Sequence, residues 1–140
     1  MTDATTKTAA CSCGKATITV RGAPAFSAIC CCRDCQQRSG SAFGLSAYFA
    51  DDQVVDHAGD VTTFRRVSAK HRWLDFRFCP VCGTTVWWQA EFLPGKVGVA
   101  AALLDLPGFA PDGAYFCATK PDFVTFDPSI PTGQGATTGS

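Results

Sequence analysis

The spacing of the cysteines constrains this chain more than any other feature. There are nine in 140 residues. Eight fall into short clusters: Cys11-Ser12-Cys13-Gly14, the overlapping pair Cys30-Cys31-Cys32 and Cys32-Arg33-Asp34-Cys35, and Cys79-Pro80-Val81-Cys82-Gly83. An odd count disfavours complete internal pairing. Residues 1–9 are small and polar, and residues 1–10 hold no apolar stretch of the kind that directs secretion. No run of 18 apolar residues suggests a membrane span. A reducing, cytoplasmic setting is therefore expected. There, clustered cysteines mean metal or redox chemistry in preference to disulfides.

Each cluster suits a metal for a physical reason. A C-x-x-C turn lets two sulfurs reach one ion, and a glycine after it tolerates the tight backbone. Cys79 to Gly83 fits that pattern, and the βαβ context of a redox C-x-x-C is missing. In C-x-C, residues i and i+2 of an extended segment share a face, so Cys11 and Cys13 can chelate together. The same alternation pairs Cys30 with Cys32 and turns Cys31 away. Cys35, one turn beyond Cys32, completes a three-sulfur cup with an open position, the mark that separates a catalytic zinc from a structural one. Cys31 and Cys117 read as small buried apolar residues. Two divisions of the ligands stay open at this level. One is a four-cysteine site (Cys11, Cys13, Cys79, Cys82) beside a triad (Cys30, Cys32, Cys35). The other is a ribbon of Cys32, Cys35, Cys79 and Cys82.

A chain of this length buries roughly 65–70% of its unfolded surface, so metal reinforces a core and does not replace one. Lys+Arg and Asp+Glu balance at 12 each, which leaves no global field to attract nucleic acid or anionic membrane. Strand patterns dominate. Ala16, Ile18 and Val20 alternate with threonines, as do Leu74, Phe76 and Phe78 with Trp73, Asp75 and Arg77. Val86 and Trp88 oppose Thr85 and Trp87, and Val97 to Ala101 reads as a strand buried on both faces. One short helix is predicted after Cys32, ending near Gly40. The expectation is an all-β domain of short antiparallel sheets with little helix over residues 9–130. A flexible start (1–8) and a Gly/Thr-rich disordered tail (131–140) flank it.

Other chemistry is sparse. The chain lacks G-x-S-x-G, H-E-x-x-H and P-loop signatures. His57 and His71 read as solvated loop residues. Arg33, Gln36 and Arg38 flank the triad and can contact substrate carboxylates; the plainer reading is a solvated helix face. Arg65, Arg66, Lys70, Arg72 and Arg77 read as surface charge.

The ordered set Cys11-Ser12-Cys13-Gly14, then Cys30 to Gly44, then Arg77-Phe78-Cys79-Pro80-Val81-Cys82-Gly83-Thr84 resembles the glutathione-dependent formaldehyde-activating enzymes, a domain shared with centromere protein V. The resemblance spans about residues 9–127. It implies a β-rich, tent-like zinc-binding fold. It also implies two zinc ions, one structural at Cys11, Cys13, Cys79 and Cys82, the other catalytic at Cys30, Cys32 and Cys35. The activity implied is that of a carbon–sulfur lyase joining glutathione thiol to formaldehyde or a related small aldehyde; Arg33, Gln36 and Arg38, by their place beside the triad, are the expected glutathione contacts. The family usually has His where this chain has Cys31. The alternatives are a non-catalytic zinc-binding interaction module, its fourth ligand supplied by Cys31 or Cys117, and a thiol-adduct enzyme for another substrate. Neither nucleic acid nor membrane is expected as a partner, and oligomeric state is not legible.

Overall fold

The computed structural model describes residues 5–138. In chain order the strands and helix are β1 (Thr6–Ala10), β2 (Thr17–Arg21), β3 (Phe26–Cys30), α1 (Arg33–Ser39), β4 (Gly44–Ala50), β5 (Val54–Ala58), β6 (Thr62–Val67), β7 (Trp73–Phe78), β8 (Thr85–Ala90), β9 (Lys96–Ala100) and β10 (Gly113–Tyr115). Among the described residues no helix is long and apolar enough to cross a membrane. The residues form two compact units. One runs up to Ala25 and resumes over Ala47–Pro107; the other comprises Phe26–Ser46 and the chain from Gly108 onward.

The first unit is built of antiparallel strands. β1, β2 and β5 form a small sheet in that order. Its alternation is the one in the sequence: Ala16, Ile18 and Val20 are buried while Thr17 and Thr19 are only half-buried. β9, β8, β7 and β6 lie side by side in that order, and β4 lies on the other side of β9. Their core is Leu74, Phe76, Trp88 and Ala90, with Tyr48 and Leu93 packed against it. Trp88 sits 5.6 Å from the Phe76 ring and edge-on to Tyr48, whose hydroxyl accepts from its indole N–H at 3.3 Å. Such aromatic contacts add about 0.5–1.5 kcal/mol beyond burial. In β9, Val97, Gly98 and Val99 are all buried, as expected of a strand covered on both faces.

The second unit contains α1 and a strand pair. β10 joins β3 in parallel, opposing Gly113 to Ala28 and Tyr115 to Cys30. The sequence pattern suggested antiparallel pairing throughout; direction is set by the long connection between the two strands, which no local signal reports. Ile29, Cys31 and Ala114 form the buried cluster, flanked by Phe43, Leu45, Cys117, Phe126 and Ile130. α1 begins and ends where its sequence requires. Cys32 is the N-cap in extended geometry, and Gly40 is the left-handed C-cap.

Both chain ends carry backbone pairing among the described residues. Residues 1–8 read as flexible, yet β1 starts at Thr6 and pairs with β2 through Thr6↔Arg21. Residues 131–140 read as a disordered tail, yet Pro131 accepts from the Ala114 N–H and Gly133 donates to the Ala114 carbonyl, each at 2.9 Å. The Phe116 and Cys117 N–H groups donate in turn to Gly135 and Gly133. Composition alone misses this because β10 supplies the partners: its backbone needs hydrogen bonds, and a glycine-rich strip follows it closely. The parts of these expectations at residues 1–4 and 139–140 lie outside the described residues.

Candidate metal centres

Two groups of sulfurs are assembled, one within each unit. Cys11, Cys13, Cys79 and Cys82 form the first, and Cys30, Cys32 and Cys35 the second; within each, the sulfurs all lie within 4.8 Å of one another. The ribbon division is thereby overturned, since Cys32 and Cys35 are not grouped with Cys79 and Cys82.

The first group is made by two turns. Cys11 to Gly14 lies in the turn between β1 and β2, not in a strand as the C-x-C pattern suggested. Its Gly14 N–H donates to Cys11 O at 2.9 Å. Cys79 to Gly83 repeats the device after β7, with Gly83 N–H donating to Cys79 O at 2.8 Å. Gly14 and Gly83 sit at φ of 81° and 79°, a region that disfavours any side chain. Backbone N–H groups point at the sulfurs: Ala16 N donates to Cys11 Sγ at 3.2 Å and Val81 N to Cys79 Sγ at 3.4 Å. The bond from Ala16 favours the thiolate of Cys11 over its thiol. The Sγ separations are 3.6 Å for Cys11–Cys13 and 3.7 Å for Cys13–Cys79. A tetrahedral ion with metal–sulfur bonds of about 2.3 Å requires sulfur–sulfur edges of about 3.8 Å. The donor set and its spacing therefore fit a closed tetrathiolate site.

Sequence reasoning missed Thr84. Its hydroxyl accepts from Ser12 N–H at 3.2 Å, lies 3.0 Å from Ser12 Oγ and contacts Cys82 Sγ at 3.3 Å. One side chain thus joins the two turns and touches a ligand. A polar residue directly after the knuckle glycine was the available signal.

The thiols of this group differ in acidity. Thr84, by its side chain first and then its N–H, lowers the Cys82 thiol to about 5. At Cys13 the backbone N–H of Lys15 pulls the other way but is outweighed by desolvation and the neighbouring thiols, which raise it to about 11. Thiols this crowded cannot all ionise without a cation among them, which is the electrostatic reason the group suits a metal.

The second group comes from one continuous segment. Cys30 ends β3, Cys32 caps α1 and Cys35 lies in its first turn, with Cys35 N donating to Cys32 Sγ at 3.3 Å. All three are half-buried. Contact with Cys32, then Cys35, then burial raises the Cys30 thiol. Contact with Cys30 lowers the Cys35 thiol, but Cys32 and burial outweigh it and the net shift is upward; the Arg38 charge opposes that rise. Gly44 makes room for Arg38: a Cβ there would stand 2.4 Å from its Nη2 and 3.4 Å from Cys35 Cβ. Among the described residues no fourth His, Cys, Asp or Glu joins the triad. Cys31 points away, as extended alternation requires, and is fully buried beside Ile29 and Ala114. Burial first, then the neighbouring Cys117, pushes its thiol up to about 11.

The remaining sequence candidates fall as follows. Arg33 is exposed and donates to Gln36 Oε1. Gln36 is buried, and its Nε2 donates to Cys31 O at 3.2 Å and Thr119 O at 3.0 Å, so its amide is committed to the chain itself. His57 lies in β5 and not in a turn, exposed and 5.8 Å from the Trp87 ring. The arginines of the basic cluster lie over aromatic rings: Arg65 over Trp73, Arg66 over Phe76, Arg72 over Phe92 and Arg77 over Trp87.

The family model for the glutathione-dependent formaldehyde-activating enzyme matches residues 6–119. No curated protein matches the sequence. A crystal structure of a Rhodobacter sphaeroides protein matches the fold with a TM-score of 0.55 and 24% identity, covering 74% of this chain and 91% of that one. That likeness speaks for the fold alone. The matched span includes both sulfur groups and the strands and helix that carry them, so the chain belongs to the glutathione-dependent formaldehyde-activating enzyme family.

Proposed function

We propose that the chain is a zinc-dependent carbon–sulfur lyase that joins glutathione thiol to formaldehyde or a related small aldehyde. The observation that carries this reading is the triad: three sulfurs within bonding reach of one ion, with no fourth protein ligand among the described residues. Cys11, Cys13, Cys79 and Cys82 would hold a structural zinc, and Cys30, Cys32 and Cys35 a second one with an open position.

A zinc ion in the triad supplies acidification and orientation of an incoming thiol, with weak polarisation of a carbonyl oxygen. The chain's residues set the balance between those roles. Three thiolates outweigh the two positive charges of the ion, so positioning of the thiol is favoured over strong Lewis acidity. Arg38, whose charge is felt at Cys35, offsets part of that excess. In the reaction the thiol gives up its proton, its sulfur bonds to the carbonyl carbon, the C=O π pair moves to oxygen, and oxygen takes up a proton in place of the one the thiol lost. Arg33 is exposed beside the triad and suits a glutathione carboxylate. Gln36 serves as scaffold, because its amide already binds the Cys31 and Thr119 carbonyls.

The test is adduct formation followed by NMR in glutathione–formaldehyde mixtures, with native mass spectrometry to count zinc. The expected result is two zinc ions and a rate above the uncatalysed one that Cys35→Ser abolishes. An unchanged rate with the fully metallated protein sinks the proposal.

A further inference from the structure

The two cysteines outside both sulfur groups lie together. Cys31 is wholly buried, and Cys117 packs half-buried against the same Ile29–Cys31–Ala114 cluster. The Cys117 thiol donates to Ala114 O at 3.6 Å, which holds it against the cluster that encloses Cys31. The backbone fixes this meeting from both sides. Cys31 N–H donates to Tyr115 O at 3.0 Å, and Thr119 Oγ1 donates to Cys31 O at 2.7 Å. Between those anchors Phe116 adopts a left-handed φ of 55°, which folds the chain into the turn Cys117–Thr119. A non-glycine residue in that conformation is held there by its surroundings. Here the surroundings include the bond from Phe116 N–H to Gly135 O and that from Cys117 N–H to Gly133 O.

We propose that Cys31 and Cys117 form a reversible dithiol/disulfide site whose oxidant is a small-molecule disulfide. Cys117 is the accessible partner and Cys31 the enclosed one, which sets the order of events. The Cys117 sulfur attacks one sulfur of oxidised glutathione, giving a mixed disulfide and releasing one glutathione, which carries away a proton. The Cys31 sulfur then attacks the Cys117 sulfur and releases the second glutathione with the second proton. Two protein thiols are oxidised and one glutathione disulfide is reduced to two thiols. The bond that forms is about 2.05 Å long, well inside the contact distance of two unbonded sulfurs, so the two segments must draw together. Cys31 lies between Cys30 and Cys32, and its carbonyl is held by Thr119 and Gln36. Oxidation therefore loosens the triad's hold on its metal. This last consequence rests on the zinc occupancy proposed above; the disulfide itself does not.

The experiment uses the full zinc-loaded chain. Native mass spectrometry first counts the zinc bound in the reduced state. After incubation with oxidised glutathione, fragmentation of non-reduced peptides locates the new bond, and zinc release is followed with a chromogenic chelator. The expected outcome is a Cys31–Cys117 link that dithiothreitol reverses, with zinc release several-fold faster than from reduced protein. Cys117→Ser, a half-buried change, should give no such link. Cys31→Ala should stop at the mixed disulfide on Cys117. An unmodified protein, or links confined to the seven clustered ligands, overturns the site. A correct link with unchanged zinc release overturns the coupling. A triad without zinc in the reduced protein counts against the proposed function and leaves the link to be decided by the peptides alone.

Discussion

The two sulfur groups use one ligand type but are built in opposite ways. The four-cysteine group joins turns far apart in sequence, with Cys13 and Cys79 separated by 66 positions. Thr84 clamps those turns, and Cys11 and Cys79 are buried. The triad comes from six consecutive positions at the junction of β3 and α1. Closing a long loop costs chain entropy that only a strong interaction offsets. A metal at the first group thus contributes directly to folding. Local geometry largely preforms the triad, so under the proposed function a metal there would be free to serve chemistry. The contrast gives a physical reason for two differently built sulfur groups in one small chain.

Cys79→Ser should produce the largest effect, because structural zinc contributes on the order of 10 kcal/mol, comparable with the whole stability of a domain. Loss of near-UV circular dichroism together with loss of zinc is expected. A folded, soluble variant with native near-UV signal would break the comparison. Cys35→Ser should do the reverse. Adduct formation falls to the uncatalysed rate, while the melting temperature shifts by only a few degrees, roughly what 1 kcal/mol gives; collapse of the fold here would erase the distinction.

Thr84→Val sharpens the comparison at the ligand-supporting level. A side chain that hydrogen-bonds a metal ligand typically matters about 10–100-fold in metal affinity. Chelator competition should therefore show a loss of that size at the four-cysteine group and none at the triad. The smallest effect belongs to Asp75, away from both groups. Arg65 donates to both of its oxygens, at 2.7 and 3.0 Å, and this pairing, opposed by slight burial, lowers the Asp75 pKa. A lowered folded-state pKa means the contribution is present above the usual carboxylate pKa and is lost as pH falls through the lower folded value. Asp75→Asn should flatten that acid-side decline in urea unfolding midpoints without altering zinc content. Since exposed pairs contribute little, a large change would mean that the Arg65–Trp73 stacking depends on it.

Local sequence was most legible where a backbone rule acts over a few residues. The helix after Cys32 with its stop at Gly40, the buried alternation of Ala16, Ile18 and Val20, and the inward turn of Cys31 all follow from periodicity and capping. The same rule erred at Cys11 and Cys13, where a tight turn, not strand alternation, brings the sulfurs together. It also placed His57 in a turn, whereas pairing of Ile18 with His57 extends a strand through that polar stretch.

Which residue types could gather a metal, and the short-range geometry of each motif, were legible in the sequence because they depend on bond lengths and backbone dihedrals. Without the family resemblance it left two ways of sorting the seven ligands. Tertiary structure decided between them, since only folding brings Cys11 and Cys13 to Cys79 and Cys82. It also decided what Thr84, the glycine-rich strip after Ile130 and Cys117 lie against. Each of these depends on partners many residues away, and such contacts are chosen by the packing of the whole unit, not by any local preference.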